Sequence, residues 1–295
     1  MLTILLGVLE EGLVYAIMAL GVYITYKILD FPDLSVDGTF PLGGAITAVL
    51  IVKGVHPVVT LFISFLVGAL AGLLTGIIHV KLKVRDLLSG IIMMTALYSV
   101  NLRIAGRANV AIFTRDTIFN NAFFDNAIPD AFRPYLIAAI LLVIVIIMKS
   151  LLDIYLRTKS GYLLRAVGDN DALVTSLAED KGTIKIIGLS IANAFVALAG
   201  SIYTQKSGFF EISTGTGTMV IGLASVIIGI NLMKKISFVK ATTAVVIGSV
   251  IYKLCVSVAI QMGMAASDLK MITAGLFLII LVVSNDRKRR AKANA

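Results

Sequence analysis

Few residues of this chain combine a chemically useful side chain with an unusual setting. Within long apolar stretches the sequence places a few strongly polar side chains, among them Glu10, Glu11, Asn193, Asn231 and Lys253. Ionisable groups in apolar surroundings are costly and are often functional. For Lys253, near the middle of its stretch, two interpretations stay open: a bond to a carbonyl or hydroxyl group between helices, or a role in transport.

Motifs for catalysis and nucleotide binding are missing from the sequence. It contains no GxxxxGK[ST] phosphate loop, no HExxH motif and no CxxC pair. The single cysteine, Cys255, lies in an apolar run, and His56 and His79 are expected at opposite ends of one helix. We therefore expect no enzyme active site, no metal centre and no cofactor held by this chain.

The composition predicts that a lipid bilayer surrounds much of the chain. Of the 295 residues, 58% are hydrophobic and 15% are charged, and the mean hydropathy is +0.97. Soluble domains average about 45–50% apolar and about 25% charged residues. Residues 54–80, 186–205 and 212–233 contain no Asp, Glu, Lys or Arg, and about 20 helical residues cross a hydrocarbon core. The alternation typical of barrel strands is absent, so the spans are predicted to be helices.

Nine apolar segments are predicted to form the helices that position the polar residues. They lie at about 4–26, 40–53, 57–80, 86–102, 134–156, 183–204, 219–233, 240–260 and 268–284. The second and seventh are short for a full crossing, which favours broken or tilted helices. The expected fold is a single all-α integral membrane domain over residues 1–295, with about 8–10 transmembrane helices.

The net charge of +9 is distributed as in a membrane protein and does not indicate nucleic-acid binding. Segments 81–85, 157–185 and 234–240, with the basic tail 285–295, hold 16 lysines and arginines, and the opposite connections hold seven. Because cytoplasmic loops are enriched in Lys and Arg, this asymmetry places the C-terminus inside. The N-terminus is outside if all nine segments cross. The tail is expected to contact anionic lipid.

The sequence contains an internal repeat. A shift of 179 residues aligns 21–45 with 200–224 without a gap, and eight of the 25 positions are identical, where chance would give about two. Each copy is a helix end, a polar break and a glycine-rich short helix. In the predicted topology the copies are inverted, an arrangement in which broken helices line a transport pathway; the alternative is a shared bias to small residues at helix contacts. The candidate lining residues are Asp33, Asp37, Thr39, Asn193, Thr214, Thr216 and Thr218.

The connection at about 157–182 reads RTKSGYLLRAVGDNDALVTSLAEDKG. Its pattern predicts a short helix over 162–167, a break at Gly168, and a second helix to Ala178 that Asp169 or Asn170 caps. Apolar residues recur at helical spacing in both parts. By itself this pattern fits an amphipathic helix on the membrane surface and a docking element for a cytoplasmic partner equally well.

Two stretches resemble one family of transporters. GLVYAIMALGVYITYKILDFPDLSVDGTFPLGGAI is similar to the first-helix region of the permeases of ABC importers of the branched-chain amino acid and ribose type. The connection at 157–182 resembles the cytoplasmic signature of the same family. FPDLSVDGTF is similar to the tryptophan/tyrosine-type subgroup. The stretch 32–38, with Asp33 and Asp37, departs from the branched-chain members, so their substrate preference does not carry over.

The resemblance implies the permease subunit of an ATP-driven importer in the bacterial cytoplasmic membrane. Its implied partners are a second permease protomer, cytoplasmic ATPase subunits that bind ATP and Mg²⁺, and an external substrate-binding lipoprotein. It also implies that 162–180 is the helix that couples to the ATPase, through Gly161, Arg165, Ala166, Gly168, Asp169 and Asn170. The expected cargo is a small solute, an amino acid of the aromatic kind. The rival hypothesis is an ion-coupled secondary transporter, which requires intramembrane carboxylates.

Overall fold

The computed structural model describes residues 2–121, 132–169, 180–234 and 238–262, with a few single residues outside these ranges. Its helices are α1 Leu2–Val22, α2 Val36–Val52, α3 Pro57–Val80, α4 Asp86–Ala105, α5 Arg133–Tyr155, α6 Lys159–Asp169, α7 Lys181–Ser207, α8 Thr218–Met233 and α9 Ala241–Gln261. Strands β1 Asn109–Ala111 and β2 Phe209–Glu211 form an antiparallel ribbon.

Seven segments of the described ranges are long and apolar enough to cross a membrane. The chain is therefore an all-α integral membrane protein, as its composition predicts. Eight of the nine predicted spans correspond to helices, and α2 begins at Val36, four residues before its predicted start. The ninth predicted span, 268–284, lies outside the continuously described residues.

The helical conformation does not stop at Val22, the last residue of α1. It continues as a π-helix over Tyr23–Ile28, and the chain then turns through Asp30, whose φ is +51°. Single π-helical turns are rare and occur frequently at functional sites. The carbonyl of Ile28, at the end of this turn, lies against Gly168 of α6, as described below.

Helix α7 is the central element and packs against α1, α2 and α3. Asp180 caps its first turn, accepting hydrogen bonds from the Thr183 hydroxyl at 2.6 Å and from the Gly182 N–H at 2.9 Å. These two bonds, the Thr183 hydroxyl above all, lower the pKa of the Asp180 carboxyl. The cap fixes where α7 begins.

Small residues at every fourth position let α3 approach α7 closely: Thr60, Ser64, Gly68, Gly72 and Gly76. A Cβ added at Gly72 would lie 2.1 Å from the Leu189 carbonyl oxygen. Helices in lipid associate through such small-residue contacts and through hydroxyl hydrogen bonds. The other face of α3 carries exposed apolar side chains such as Phe62 and Leu66. We infer that α3 and α7 form one rigid unit.

The two copies of the repeat make equivalent contacts. A Cβ at Gly43 would lie 1.8 Å from the carbonyl oxygen of Ala197, and a Cβ at Gly222 would contact Met18 and Val22. Gly43 and Gly222 differ by 179 positions, and so do Met18 and Ala197. Each glycine thus packs on the first helix of the other copy, as the two-fold relation of a repeat requires. By the same shift α3 corresponds to α9, and these pack against α7 and α1, respectively.

The short helices of the two copies run in opposite directions from a common meeting point. The first turns of α2 and α8 are bonded to each other through Asp37. The far end of α2 packs under the ribbon, where Ile51 joins Val110 and Phe210 in one apolar cluster. The far end of α8 leads instead to Lys240, which pairs with Asp153 at the end of α5. Opposed directions are what inverted copies require.

The two short helices do not begin at equivalent positions of the repeat. Thr218 begins α8 after Gly217, which has a φ of +86° that suits glycine. In the first copy Gly38 lies inside the first turn of α2, which begins two residues earlier at Val36. The Ser35 carbonyl accepts from the N–H groups of Gly38 and Thr39, so the helix extends back to it.

Candidate functional site

A buried polar network holds the break between α1 and α2 against the middle of α7. The Asp33 carboxylate accepts hydrogen bonds from the Ser35 N–H at 2.9 Å and from the Asn193 amide at 2.8 Å. The Ser35 hydroxyl donates to the Asn193 side-chain oxygen at 3.2 Å. Asp33 is 1% exposed and Asn193 is fully buried. The structure therefore brings these two predicted residues together, in a position that anchors the break.

Asp37 joins the two short helices. Its carboxylate accepts from the N–H groups of Gly217 at 2.9 Å and Met219 at 2.8 Å, and from the Thr218 hydroxyl at 3.0 Å. The N-terminus of a helix carries unpaired N–H groups and a partial positive charge, so a carboxylate is a strong cap there. The residue that caps α8 thus belongs to α2, 180–182 positions earlier in the chain.

A cavity of about 330 Å³ opens beside this cap, between α2, α4 and the 3₁₀ turn Ile212–Gly215. The side chains in its wall include Asp37, Pro41, Met94, Tyr98, Asn101 and Thr216. Carboxylate, amide and hydroxyl groups here face apolar and aromatic ones. This mixture is typical of small-molecule sites.

Asn101 and Tyr98 are site residues that the sequence analysis missed. Asn101 is fully buried, and its amide N–H donates to the Gly38 carbonyl at 2.9 Å. Its side-chain oxygen has no hydrogen-bond partner among the described residues. The available signal was an amide near the end of an apolar span, which is costly to bury and calls for a partner.

The predicted lining residues do not all reach the cavity. Asp37 and Thr216 lie in its wall. Thr39 and Thr218 are buried and bond to the carbonyls of Ser35 and Gly215. Thr214 donates to the Glu211 carbonyl in the 3₁₀ turn. These three threonines hold the backbone around the cavity.

The described part of the connection at 157–182 forms one continuous helix, α6, over Lys159–Asp169, so the predicted break at Gly168 is wrong. Gly168 lies within this helix and packs on the end of α1: a Cβ added to Gly168 would lie 1.7 Å from the Ile28 carbonyl oxygen. Asp169 is the exposed last residue of α6. Asn170 and most of the predicted second helix lie outside the described residues.

The apolar face of α6 is covered by protein. Leu164 is fully buried and Val167 is 4% exposed, and Leu164 packs on Gly188 of α7. A helix that lies on a membrane would present its apolar face to lipid. The opposite face leaves Tyr162, Arg165 and Asp169 exposed, while Gly161 packs on Tyr155 and Leu156 and Ala166 is half-buried. This exposed polar face with one aromatic ring is suited to a protein partner.

Two ion pairs join α1 to distant helices. Lys253 of α9 contacts Glu11 at 3.0 Å, with its ammonium 4.0 Å from the centre of the Tyr15 ring. Lys206 of α7 contacts Glu10 at 3.3 Å. Lys253 faces protein, but its partner is not the carbonyl or hydroxyl group of the first interpretation. The partner is a carboxylate, which neutralises the ammonium in this apolar setting.

Breaking this pair should have unequal effects. The Lys253 side chain is 13% exposed and that of Glu11 is 48% exposed. Glu11→Gln leaves a buried ammonium without its counter-ion, so we expect a loss of about 2 kcal/mol in stability. Lys253→Met leaves a carboxylate that water reaches, so its loss should be clearly smaller. Melting temperatures of the purified variants in detergent check this, and a larger loss for Lys253→Met would contradict it.

Comparison with known proteins places the chain in a family. Residues 4–282 match the permease component of the branched-chain amino acid transport system. The chain belongs to this family of permeases. It is thus a multi-pass subunit of a transport system in the bacterial inner membrane. No solved structure matches the chain.

Three relatives illustrate the range of sequence identity between this chain and known proteins. The tyrosine transport system permease protein of Clostridioides difficile is 45% identical over 99% of this chain and 95% of its own length. An uncharacterized protein of Rickettsia prowazekii is 31% identical over 97% of this chain and 99% of its own. The ribose import permease of Escherichia coli is 26% identical over 76% of this chain and 68% of its own.

Proposed function

We propose that this permease is the membrane subunit of an ATP-driven importer whose cargo is an amino acid of the aromatic type. A second permease protomer, two cytoplasmic ATPase subunits and an external binding lipoprotein complete the transporter. The ATPase subunits bind ATP and Mg²⁺, and this chain converts their closure into helix movement. The 45% identity to a tyrosine permease over nearly the full length of both chains supports the substrate class.

The packing of α6 is the observation that carries the proposal. One face presents Tyr162, Arg165 and Asp169 to a partner. The other face is seated on Ile28, at the end of the π-helix that leads into the break and α2. A push on α6 therefore reaches the first turn of α2, and with it Asp37, through fewer than ten residues of chain.

The path is stiff enough to transmit such a push. Leu29 is 4% exposed and packs on Gly188 of α7, and the Asp33–Ser35–Asn193 network ties the following residues to the same helix. Packed interiors resist compression and shift between discrete arrangements. We infer that α6, the break and the first turn of α2 move together with α7.

Reversing one charge on the exposed face of α6 tests this coupling. The permease is reconstituted in liposomes with the ATPase and binding protein of the proposed transporter. We expect Arg165→Glu to reduce ATP-dependent tyrosine uptake and ATPase co-purification at least fivefold, at an unchanged melting temperature. Lys83→Glu, at an exposed basic residue of another connection, is the matched control and should behave as wild type.

Two results would contradict the proposal. Uptake that a proton or sodium gradient drives without the ATPase would favour the secondary-transporter hypothesis. Wild-type uptake and co-purification by Arg165→Glu would show that α6 does not couple to the ATPase.

A further inference from the structure

The cavity beside α8 is lined by a hydrogen-bond acceptor without a donor in the described part of the chain, the Asn101 side-chain oxygen, and by the Asp37 carboxylate, which fills an anion-binding position at the start of α8. The Asn101 side-chain oxygen is buried without a donor among the described residues, and leaving a buried acceptor unpaired is unfavourable. Its orientation is fixed, because the amide N–H donates to the Gly38 carbonyl and a flipped amide would oppose two acceptors there. An acceptor held in this way calls for a donor from outside the chain.

The opposite wall offers the complementary groups. The N–H groups of Gly217 and Met219 point at a carboxylate, which is supplied by Asp37. A carboxylate from a ligand would suit the same donors. If it replaced Asp37 there, the released Asp37 would become a partner for a cation. The site thus holds donors for an anion and two oxygen acceptors for a cation.

We propose that this cavity binds the substrate as an α-amino acid zwitterion during translocation. The substrate carboxylate takes the place of Asp37 at the first turn of α8, and its ammonium group bonds to Asp37 and to the Asn101 oxygen. The proposal rests on the proposed function for its substrate class and names the residues that recognise it.

The same first turn of α2 governs both acceptors. Asp37 is bonded to α8, and Asn101 is bonded to Gly38, the next residue along the chain. Movement of this turn away from α8 therefore frees the Asp37 carboxylate into the cavity that Asn101 also lines. This is the turn that a push on α6 reaches.

The rest of the wall fits the side chain of the substrate. Met94, Tyr98 and Pro41 line the cavity, and Tyr98 is 55% exposed. Aromatic and thioether groups pack well against a flat ring. The volume of about 330 Å³ lies within the range of small-molecule sites, about 300–1,000 Å³.

Binding to the purified permease alone, in nanodiscs and without ATPase or binding protein, tests the site. Equilibrium dialysis compares tyrosine with 3-(4-hydroxyphenyl)propionate, which lacks the ammonium, and with tyramine, which lacks the carboxylate. We expect tyrosine to bind at least tenfold more tightly than either. Asn101→Leu should weaken tyrosine at least tenfold and leave the propionate unchanged, since only the ammonium uses the amide oxygen.

A second variant covers the case in which Asn101→Leu does not fold. Tyr98→Ala changes an exposed residue, and it should weaken tyrosine more than leucine. The proposal is overturned if the three compounds bind equally, if no binding is found, or if Asn101→Leu weakens all ligands alike. Each of those outcomes refutes the site but leaves the proposed function standing, because ATP-dependent uptake by the complete transporter is measured separately. If the complete transporter shows no ATP-dependent uptake while the permease still binds tyrosine, the proposed function is refuted and the site is not.

Discussion

Asp37→Ala is expected to reduce tyrosine uptake by the complete transporter to below a tenth of wild type. The substitution removes the acceptor of two N–H groups and one hydroxyl group at the start of α8. Within a membrane such donors find little water to replace the lost acceptor. We also expect the stability of the purified permease to fall by about 2 kcal/mol.

Two matched substitutions distinguish the effect of losing the cap on α8 from the effect of losing a negative charge. Asp37→Asn keeps one oxygen that can accept from α8, so it should retain most of the stability and lose part of the uptake. Asp116→Ala removes an exposed acid from the connection after α4 and should leave both quantities unchanged. Wild-type uptake and melting of Asp37→Ala would show that the link between α2 and α8 has no role.

Gly168→Ala is expected to weaken the stimulation of ATP hydrolysis by substrate. The added Cβ would lie 1.7 Å from the Ile28 carbonyl oxygen, far inside van der Waals contact, so α6 must shift away from the end of α1. Such overpacking costs about 1–3 kcal/mol. The measurement is the stimulation of ATP hydrolysis by substrate-loaded binding protein in liposomes, which we expect to fall at least fivefold.

A second glycine provides the control for this substitution. Gly7 lies in α1 with no heavy atom within 4 Å of an added Cβ. Gly7→Ala should therefore leave coupling intact and, because alanine favours helix, leave stability equal or slightly higher. If Gly168→Ala retained wild-type stimulation, the contact between α6 and the end of α1 would not transmit the movement.

The sequence by itself was sufficient for the features that depend on local pattern. Charge-free runs of about 20 residues predict membrane helices because the bilayer has a fixed thickness, and eight of the predicted spans correspond to helices of the structure. The repeat and the small residues at Gly43 and Gly222 follow from spacing along the chain. Asp37 and Thr216 were selected from the same alignment, and both lie in the wall of the cavity.

Tertiary structure decided which distant groups meet. The Glu11–Lys253 pair spans 242 positions and the Asn101–Gly38 bond spans 63, and no local pattern encodes either partner. Gly168 shows the same limit: glycine disfavours a helix by local propensity, yet here the approach of Ile28 excludes any side chain and the helix continues. Propensity is a property of a few neighbouring residues, whereas contacts and hydrogen-bond partners are set by how the helices pack.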